Sequence, residues 1–396
     1  MRRRLSKYTI LVAFCLAYSS AYAQLFSSSQ RSKIVPVKTV DWRSSKNELL
    51  SQFDFAFDAN DIVFLSESNH GHGSAYDAQC TILKGLIDSS RIRSLYIESS
   101  WINCDKITGL LRKQGKEGIS EAAKYMRSTE LVYWLNNGFW EYLANKIIEG
   151  KVNLHGFDID GISPLIVTDL FNEATELQSL GRYAKGGEGY KAIKWDFEHF
   201  GGFGPQSMMY KPGYDSLKAF IDVVTREYQM MGETYRVEQW ESILSLFYWM
   251  YKRGLVTRGN RIVNQIENEK QASAIEKIRD SLMAEMFLRQ YEKEKGAKVV
   301  CSMAAYHALR NSQVVEQVST CCKDVYVKTM GEIVEERLPG KIFSVCFISA
   351  SGEYGIQYYD PKWIKIKKPE KNSMEAALAK EGHSFCFINL QSPEFK

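Results

Sequence analysis

Two kinds of segment alternate along this chain. Short apolar-rich runs read as strands, the first of them apolar throughout and short enough to be fully buried. They are Ile62–Leu65, Ile92–Ile97, Val152–Phe157, Lys298–Met303, Ile342–Ile348 and Phe385–Leu390, with a shorter one at Val325–Thr329. Between them lie stretches with helical spacing of apolar residues. Asp41–Asp58 leads as a helix into the first strand, and Ala75–Ile87 places Ile82, Leu83, Leu86 and Ile87 on one face. Helices are also predicted over Ile107–Gln114, Ile119–Tyr125 and Leu131–Ile148, and as one long element over Arg261–Lys295. Trp101–Asn103 is predicted to continue the loop after the second strand. Residues from about 162 to 260 are polar and helical in pattern and read as an insertion. Within it, Phe197–Tyr210 combines glycine, methionine and aromatics, a composition suited to an adaptable pocket wall or to a surface loop. Strands alternating with helices predict an α/β fold, a mainly parallel β-sheet flanked by helices, with the helical insertion capping its carboxyl edge.

The ends of the apolar runs carry the chemistry. The first run passes at Ser66 into Glu67-Ser68-Asn69-His70-Gly71-His72-Gly73. The second ends in Glu98, the third in Asp158, and the fourth is followed by His307. Parallel strands bring their carboxyl ends to one edge of a sheet, where open α/β folds place their ligands. Four strands in turn delivering titratable groups to one edge points to a site. Glu67, three residues before His70, can fix that imidazole in one tautomer and raise its basicity.

Composition narrows the class. The 396 residues are 45% hydrophobic and 25% charged, enough for a large core, and the net charge of +4 contains no dominant basic block that would call for nucleic acid. Residues 1–23 read as a signal peptide: Arg2-Arg3-Arg4 and Lys7, an apolar core from Ile10 to Ala17, and the small-x-small pattern Ala21-Tyr22-Ala23, with cleavage after Ala23. The expectation is a periplasmic or secreted protein with no membrane span after cleavage. Residues 24–40 read as a polar linker and 41–396 as one domain. Cys80, Cys104, Cys301, Cys321, Cys322, Cys346 and Cys386 form no zinc spacing; Cys301, Cys346 and Cys386 sit in apolar runs as small buried hydrophobes, and an oxidising compartment leaves room for one disulfide.

Nucleophile elbow, HExxH, P-loop and GxGxxG signatures are all missing from the sequence. The remaining carboxylates and imidazoles fit two mechanisms. In one, a carboxylate-held histidine takes a proton from water while the second imidazole or a cation stabilises the oxyanion. In the other, the same groups bind a divalent metal that acidifies the water. The sequence leaves both open, and no cofactor is assigned.

In their order along the chain, these motifs resemble the erythromycin esterase family. LSESNHG matches the family's strand-end GEATHG-like motif at Glu67 and His70, and YIESSW its second strand-end glutamate at Glu98. HGFDIDG resembles the family's third-strand segment at Asp158, Arg279-Asp280 with SLMAEM the helix motif RDxxMAE, and KVVCSMAAYHALRN the fourth-strand segment ending in His307. The resemblance implies cleavage of a small-molecule ester or lactone by activated water without a covalent intermediate. His70 would be the general base and Glu67 its orienting group, with Glu98 and His307 completing the site. Asp158, Gln79 and His72 would contact substrate, and Arg279 and Asp280 would brace the helix against the sheet. Gln79 stands where the family carries an arginine, and Ala304 where it carries another histidine. The wider superfamily includes metal-dependent proteases and haem-binding proteins. That adds a third reading, a ligand-binding protein with His72, His199 or Tyr210 as axial ligands. His155 and His383 are assigned no role.

Overall fold

The protein is described here by a computed structural model covering residues 26–44, 48–51, 54–68, 70–126, 131–159, 162–175, 177, 211–259, 265–294, 296–311, 328–356, 362–371, 373–382 and 384–390. Among the described residues the strands are β1 (Ile34–Pro36), β2 (Ile62–Glu67), β3 (Ser94–Ser100), β4 (Asn153–Asp158), β5 (Val299–Ala304), β6 (Ile342–Phe347), β7 (Glu353–Ile356), β8 (Lys362–Lys365) and β9 (Cys386–Ile388). The chain forms two compact units. The larger comprises residues 54–68 and 83–347; the smaller comprises residues 1–53, 69–82 and 348–396.

The larger unit is built on a five-stranded sheet of order β4-β3-β5-β2-β6. Every neighbouring pair is parallel. β2 and β3 are buried along their whole length, and their apolar stretches Ile62–Leu65 and Leu95–Ile97 are the parts that read as strand. The chain runs outward from β3 to β4 and returns to insert β5 between β3 and β2, so the fourth strand occupies the sheet's centre. The helix Gln265–Lys293 packs on one face through Met283, Ala284, Phe287, Leu288 and Tyr291, a stripe at helical spacing that joins Ile62, Phe64, Tyr96 and Phe157 of the sheet in one core. Removing a side chain such as Phe287 from a core of this kind costs about 3–5 kcal/mol.

The predicted insertion is helical where described, with helices Pro164–Thr175, Lys211–Met230 and Thr234–Gly259. Phe171, Phe220 and Trp240 make its aromatic core, with ring centroids 5.1–5.7 Å apart. Trp101 ties it to the sheet. Its indole N–H donates to Ser242 Oγ at 2.8 Å, and its ring meets Tyr235 edge-on. Phe197–Tyr210 lies outside the described residues.

Several elements differ from the sequence reading. The helix after β3 starts at Trp101 with no intervening loop, because Trp101, Ile102, Cys104, Ile107 and Leu111 already share its buried face. Leu131–Ile148 is two helices, Val132–Asn136 and Phe139–Ile148, broken at Gly138 with φ 76°. Asp41–Ser44 is not helical, unlike the expected start of the Asp41–Asp58 helix, while Glu48–Ser51 and Asp54–Ala59 are helical. Lys328 and Thr329 are not strand; Thr329 caps the helix Met330–Arg337 by accepting from the Glu332 N–H. Residues 325–327 lie outside the described set.

In the smaller unit β1, within the expected linker, pairs antiparallel with β9, and β7 pairs with β8 as a hairpin. Phe385–Leu390 therefore belongs to a two-stranded sheet rather than the parallel one. Cys301 is a buried thiol, as its apolar run suggested, whereas Cys346 is exposed on the edge strand β6 and Cys386 is half-buried on β9. No helix of the described residues is long and apolar enough to cross a membrane.

Candidate functional site

Across the carboxyl edge of the parallel sheet, β4 ends at Asp158, β5 at Ala304 and β2 at Glu67, while Glu98 lies two residues before the end of β3. The β2–β5 register sets Glu67 opposite Ala304. From the other side, Glu98 Oε2 accepts the Ala304 N–H at 2.6 Å. Glu67 and Glu98 thus flank the end of the central strand, one from each neighbour. The β3–β4 ladder loses register between Ile97 and Ser100, a bulge at Glu98 and Ser99. Gly156 makes room for it. A Cβ there would stand 2.3 Å from Ser99 O and 2.6 Å from Ser100 C, inside van der Waals contact.

Arg279 joins the carboxylates. Its guanidinium holds Asp158 as a fork, Nη2 donating to Oδ2 at 2.5 Å and Nε to Oδ1 at 3.2 Å, and Nη2 reaches Glu98 Oε1 at 3.2 Å. Asp158 Oδ1 also accepts the Ile159 N–H at 2.7 Å. His307 follows β5 on the one-turn helix Ala305–Ala308. Its Nε2 stands 3.3 Å from Glu98 Oε1, and its Nδ1 stands 2.9 Å from Asp280 Oδ1. Glu98, Asp158, Asp280 and His307 are all buried.

Burial would favour a neutral His307, but the charges of Glu98 and Asp280 and their hydrogen bonds outweigh it and raise the pKa to about 10. Arg279 Nη1 lies 3.3 Å from His307 Nε2 in hydrogen-bond geometry, and since a guanidinium only donates, this bond competes with the ring protonation that Glu98 and Asp280 favour. Three carboxylates and two cations form a nearly dry, almost balanced cluster. Of the groups the metal-dependent reading uses, Glu98 already accepts from Arg279, as does Asp158 beside it. Among the described residues no group of three or more acidic, histidine or cysteine side chains is arranged to hold a metal ion.

The structure therefore brings together Glu98, Asp158 and His307, with Glu67 on the same sheet edge. His70, His72 and Gln79 belong to the smaller unit. There, His70 is half-buried in the turn before the helix Gly73–Asp88, and Gln79 is fully buried on that helix. His72 is buried, its Nδ1 3.3 Å from both the Ala75 N–H and Ser349 Oγ. Burial holds its pKa below the ordinary histidine value. His199, Tyr210, His383 and Asn69 lie outside the described residues. His155 does have a partner, Glu294, at 2.7 Å, and stacks on Tyr96.

The sequence reading underweighted Arg279 and Asp280. Arg279 does tie the helix to the sheet, through Asp158 and Glu98, whereas Asp280 bonds the Met330 N–H and no strand residue; both touch His307 directly. A signal was present: both continue the apolar stripe Met283, Ala284, Phe287 one turn upstream, and a charged pair in core register is a costly arrangement.

These features define an α/β protein with a buried carboxylate–imidazole–guanidinium cluster at the carboxyl edge of a five-stranded parallel sheet. The chain belongs to the erythromycin esterase family, whose sequence profile matches residues 91–396. Its fold is similar to that of a succinoglycan biosynthesis protein (TM-score 0.66, 15% identity, 93% of this chain and 86% of that one). It is also similar to that of a protein from Bacillus cereus (TM-score 0.63, 13% identity, 94% and 86%). A mutant of the erythromycin esterase EreC, in its open conformation, is likewise similar (TM-score 0.61, 11% identity, 89% and 88%). At such low identities the likeness is one of fold. No curated protein matches the sequence.

Proposed function

We propose that this chain is an exported hydrolase that opens an ester or lactone of a small molecule with an activated water. His70, oriented by Glu67, takes the proton of that water. The hydroxide adds to the carbonyl carbon, and the carbon–oxygen bond breaks. The departing alkoxide then recovers the proton from the His70 imidazolium, so no covalent enzyme intermediate forms. The observation that supports this reading best is the half-buried Arg279 guanidinium and the buried His307 imidazole, both held against Glu98 at the sheet edge. N–H groups held in a low-dielectric environment stabilise a developing oxyanion far better than the same groups in water. Asp158 keeps the Arg279 fork in place, and Gln79 and His72 are the candidate substrate contacts of the smaller unit.

Family membership supports a small-molecule ester as substrate class. Gln79 and Ala304 replace a family cation and a family imidazole, so a macrolide is one candidate within that class rather than the assigned substrate. The N-terminal pattern of residues 1–23 supports export with cleavage after Ala23. A metal bound at Glu98 and Asp158 would have to displace Arg279 from both carboxylates, which counts against the metal-dependent alternative. The test is incubation of the chain from Gln24 onward with erythromycin, lactones and simple esters, with and without chelator. A product heavier by one water, lost in His70→Ala and retained under chelation, is expected. Hydrolysis that survives in His70→Ala would overturn the assigned base.

A further inference from the structure

In the smaller unit, the hairpin of β7 and β8 holds two large apolar side chains in water. Trp363 is 64% exposed, and Ile364, the next residue, is 39% exposed. Successive strand residues point to opposite faces, so β8 is open on both faces at this point. Lys365, Lys367, Lys368 and Lys371 follow, all of them exposed. From Lys362 to Lys371 the sequence carries five lysines against one acid, Glu370. The register adds one further carboxylate, Glu353 of β7, opposite Lys365. The hairpin is therefore apolar and cationic together. Exposed apolar side chains grouped within a charged surround mark interaction sites.

We propose that this hairpin docks the protein onto the surface of an anionic phospholipid bilayer. Trp363 and Ile364 enter the boundary between headgroups and acyl chains, and Lys365, Lys367 and Lys368 lie against the phosphates. The composition selects this partner. A soluble polyanion would satisfy the lysines and leave the indole and the isoleucine in water. A second copy of the chain would set like charges against each other. An anionic bilayer offers apolar material directly beneath negative charge, and tryptophan beside lysine suits that interface. The spacing fits as well. At about 3.3 Å per strand residue, Lys365 stands about 7 Å further along β8 than Trp363, which matches the depth that apolar groups of interfacial segments reach. Docking of this kind needs no spanning helix, and none is present among the described residues. The proposal stands independently of the hydrolytic reading.

The test is sedimentation of the chain from Gln24 onward with vesicles, since residues 1–23 are themselves apolar and basic. The vesicles are phosphatidylcholine alone or phosphatidylcholine mixed with phosphatidylglycerol. Binding to the mixed vesicles that weakens as salt is raised is expected, with little binding to phosphatidylcholine alone. Trp363→Ser should weaken that binding about tenfold through lost apolar burial. Lys365→Gln and Lys368→Gln should each weaken it about fivefold. The three positions are exposed, so the thermal unfolding of the variants should superimpose on that of the unaltered chain. No binding to the mixed vesicles, or binding that all three variants retain in full, would overturn the proposal. Binding that the lysine variants lose and Trp363→Ser keeps would also overturn it, because the partner would then be a soluble polyanion rather than a bilayer.

Discussion

Arg279 is the residue on which the buried charges balance. Its fork on Asp158 and its single bond to Glu98 are made with little solvent nearby, and Glu98 also lies beside His307. Replacing both members of a buried ion pair by apolar groups can be nearly neutral, but removing one member strands the other. Arg279→Met should therefore lower stability by about 3–5 kcal/mol in urea denaturation. A loss below about 1 kcal/mol would mean that Asp158 and Glu98 find other partners. Glu98→Gln is the complementary change. It keeps an acceptor for the Ala304 N–H, removes the leading charge behind the high His307 pKa, and should bring the His307 titration down toward neutrality. An unmoved titration would assign the shift to Asp280 alone.

At the scale of elements, the bulge in β3 aims Glu98, and β4 permits the bulge through Gly156. Gly156→Ala pushes a methyl into the backbone of Ser99 and Ser100. Over-packing of this kind costs roughly 1–3 kcal/mol, and here it should also displace Glu98, so turnover should fall by more than the stability loss explains. A Gly156→Ala protein that is destabilised but fully active would detach Glu98 from the reaction. Trp101, three residues further on, anchors the helical insertion. Trp101→Phe removes the hydrogen bond to Ser242 while keeping the ring, and should cost about 1 kcal/mol. The strands of the parallel sheet were legible because each is rich in apolar residues, and β2 and β3 are buried throughout. So were the ends carrying Glu67, Glu98 and Asp158, because polarity changes there abruptly. The hairpin of β7 and β8 was not legible, since Trp363 and Ile364 are exposed between lysines and show no buried face. Nor was the short β1, whose partner β9 is more than three hundred residues away. The helix break at Gly138 and the early start at Trp101 depend on local backbone geometry that periodicity does not report. Arg279 and Asp280 were visible as a motif, but their contact with His307 depends on β5 entering the sheet between β2 and β3, and that order is set by tertiary packing.

For the whole molecule, the two units should respond oppositely to pH. His307 in the larger unit has its pKa raised to about 10 in the folded state, above its ordinary 6.5. Its contribution is fully present below pH 6.5 and is lost as pH rises toward 10. His72 in the smaller unit has its pKa lowered by burial, so its neutral form is favoured on folding. Stability there is present above 6.5 and declines as pH falls below the ordinary value. Hydrogen exchange followed by mass spectrometry should show β3 and β5 loosening first in alkali and the Gly71–Ala75 turn loosening first in acid. Uniform loosening at both extremes would contradict this division. The reaction itself is tested most directly by one comparison. The chain from Gln24 onward is incubated with the lactone and ester panel under chelation, beside His70→Ala, and the products are weighed. The expected result is a product one water heavier from the unaltered chain and none from the variant. Equal hydrolysis by both proteins, or hydrolysis abolished by the chelator, would contradict water activation by His70.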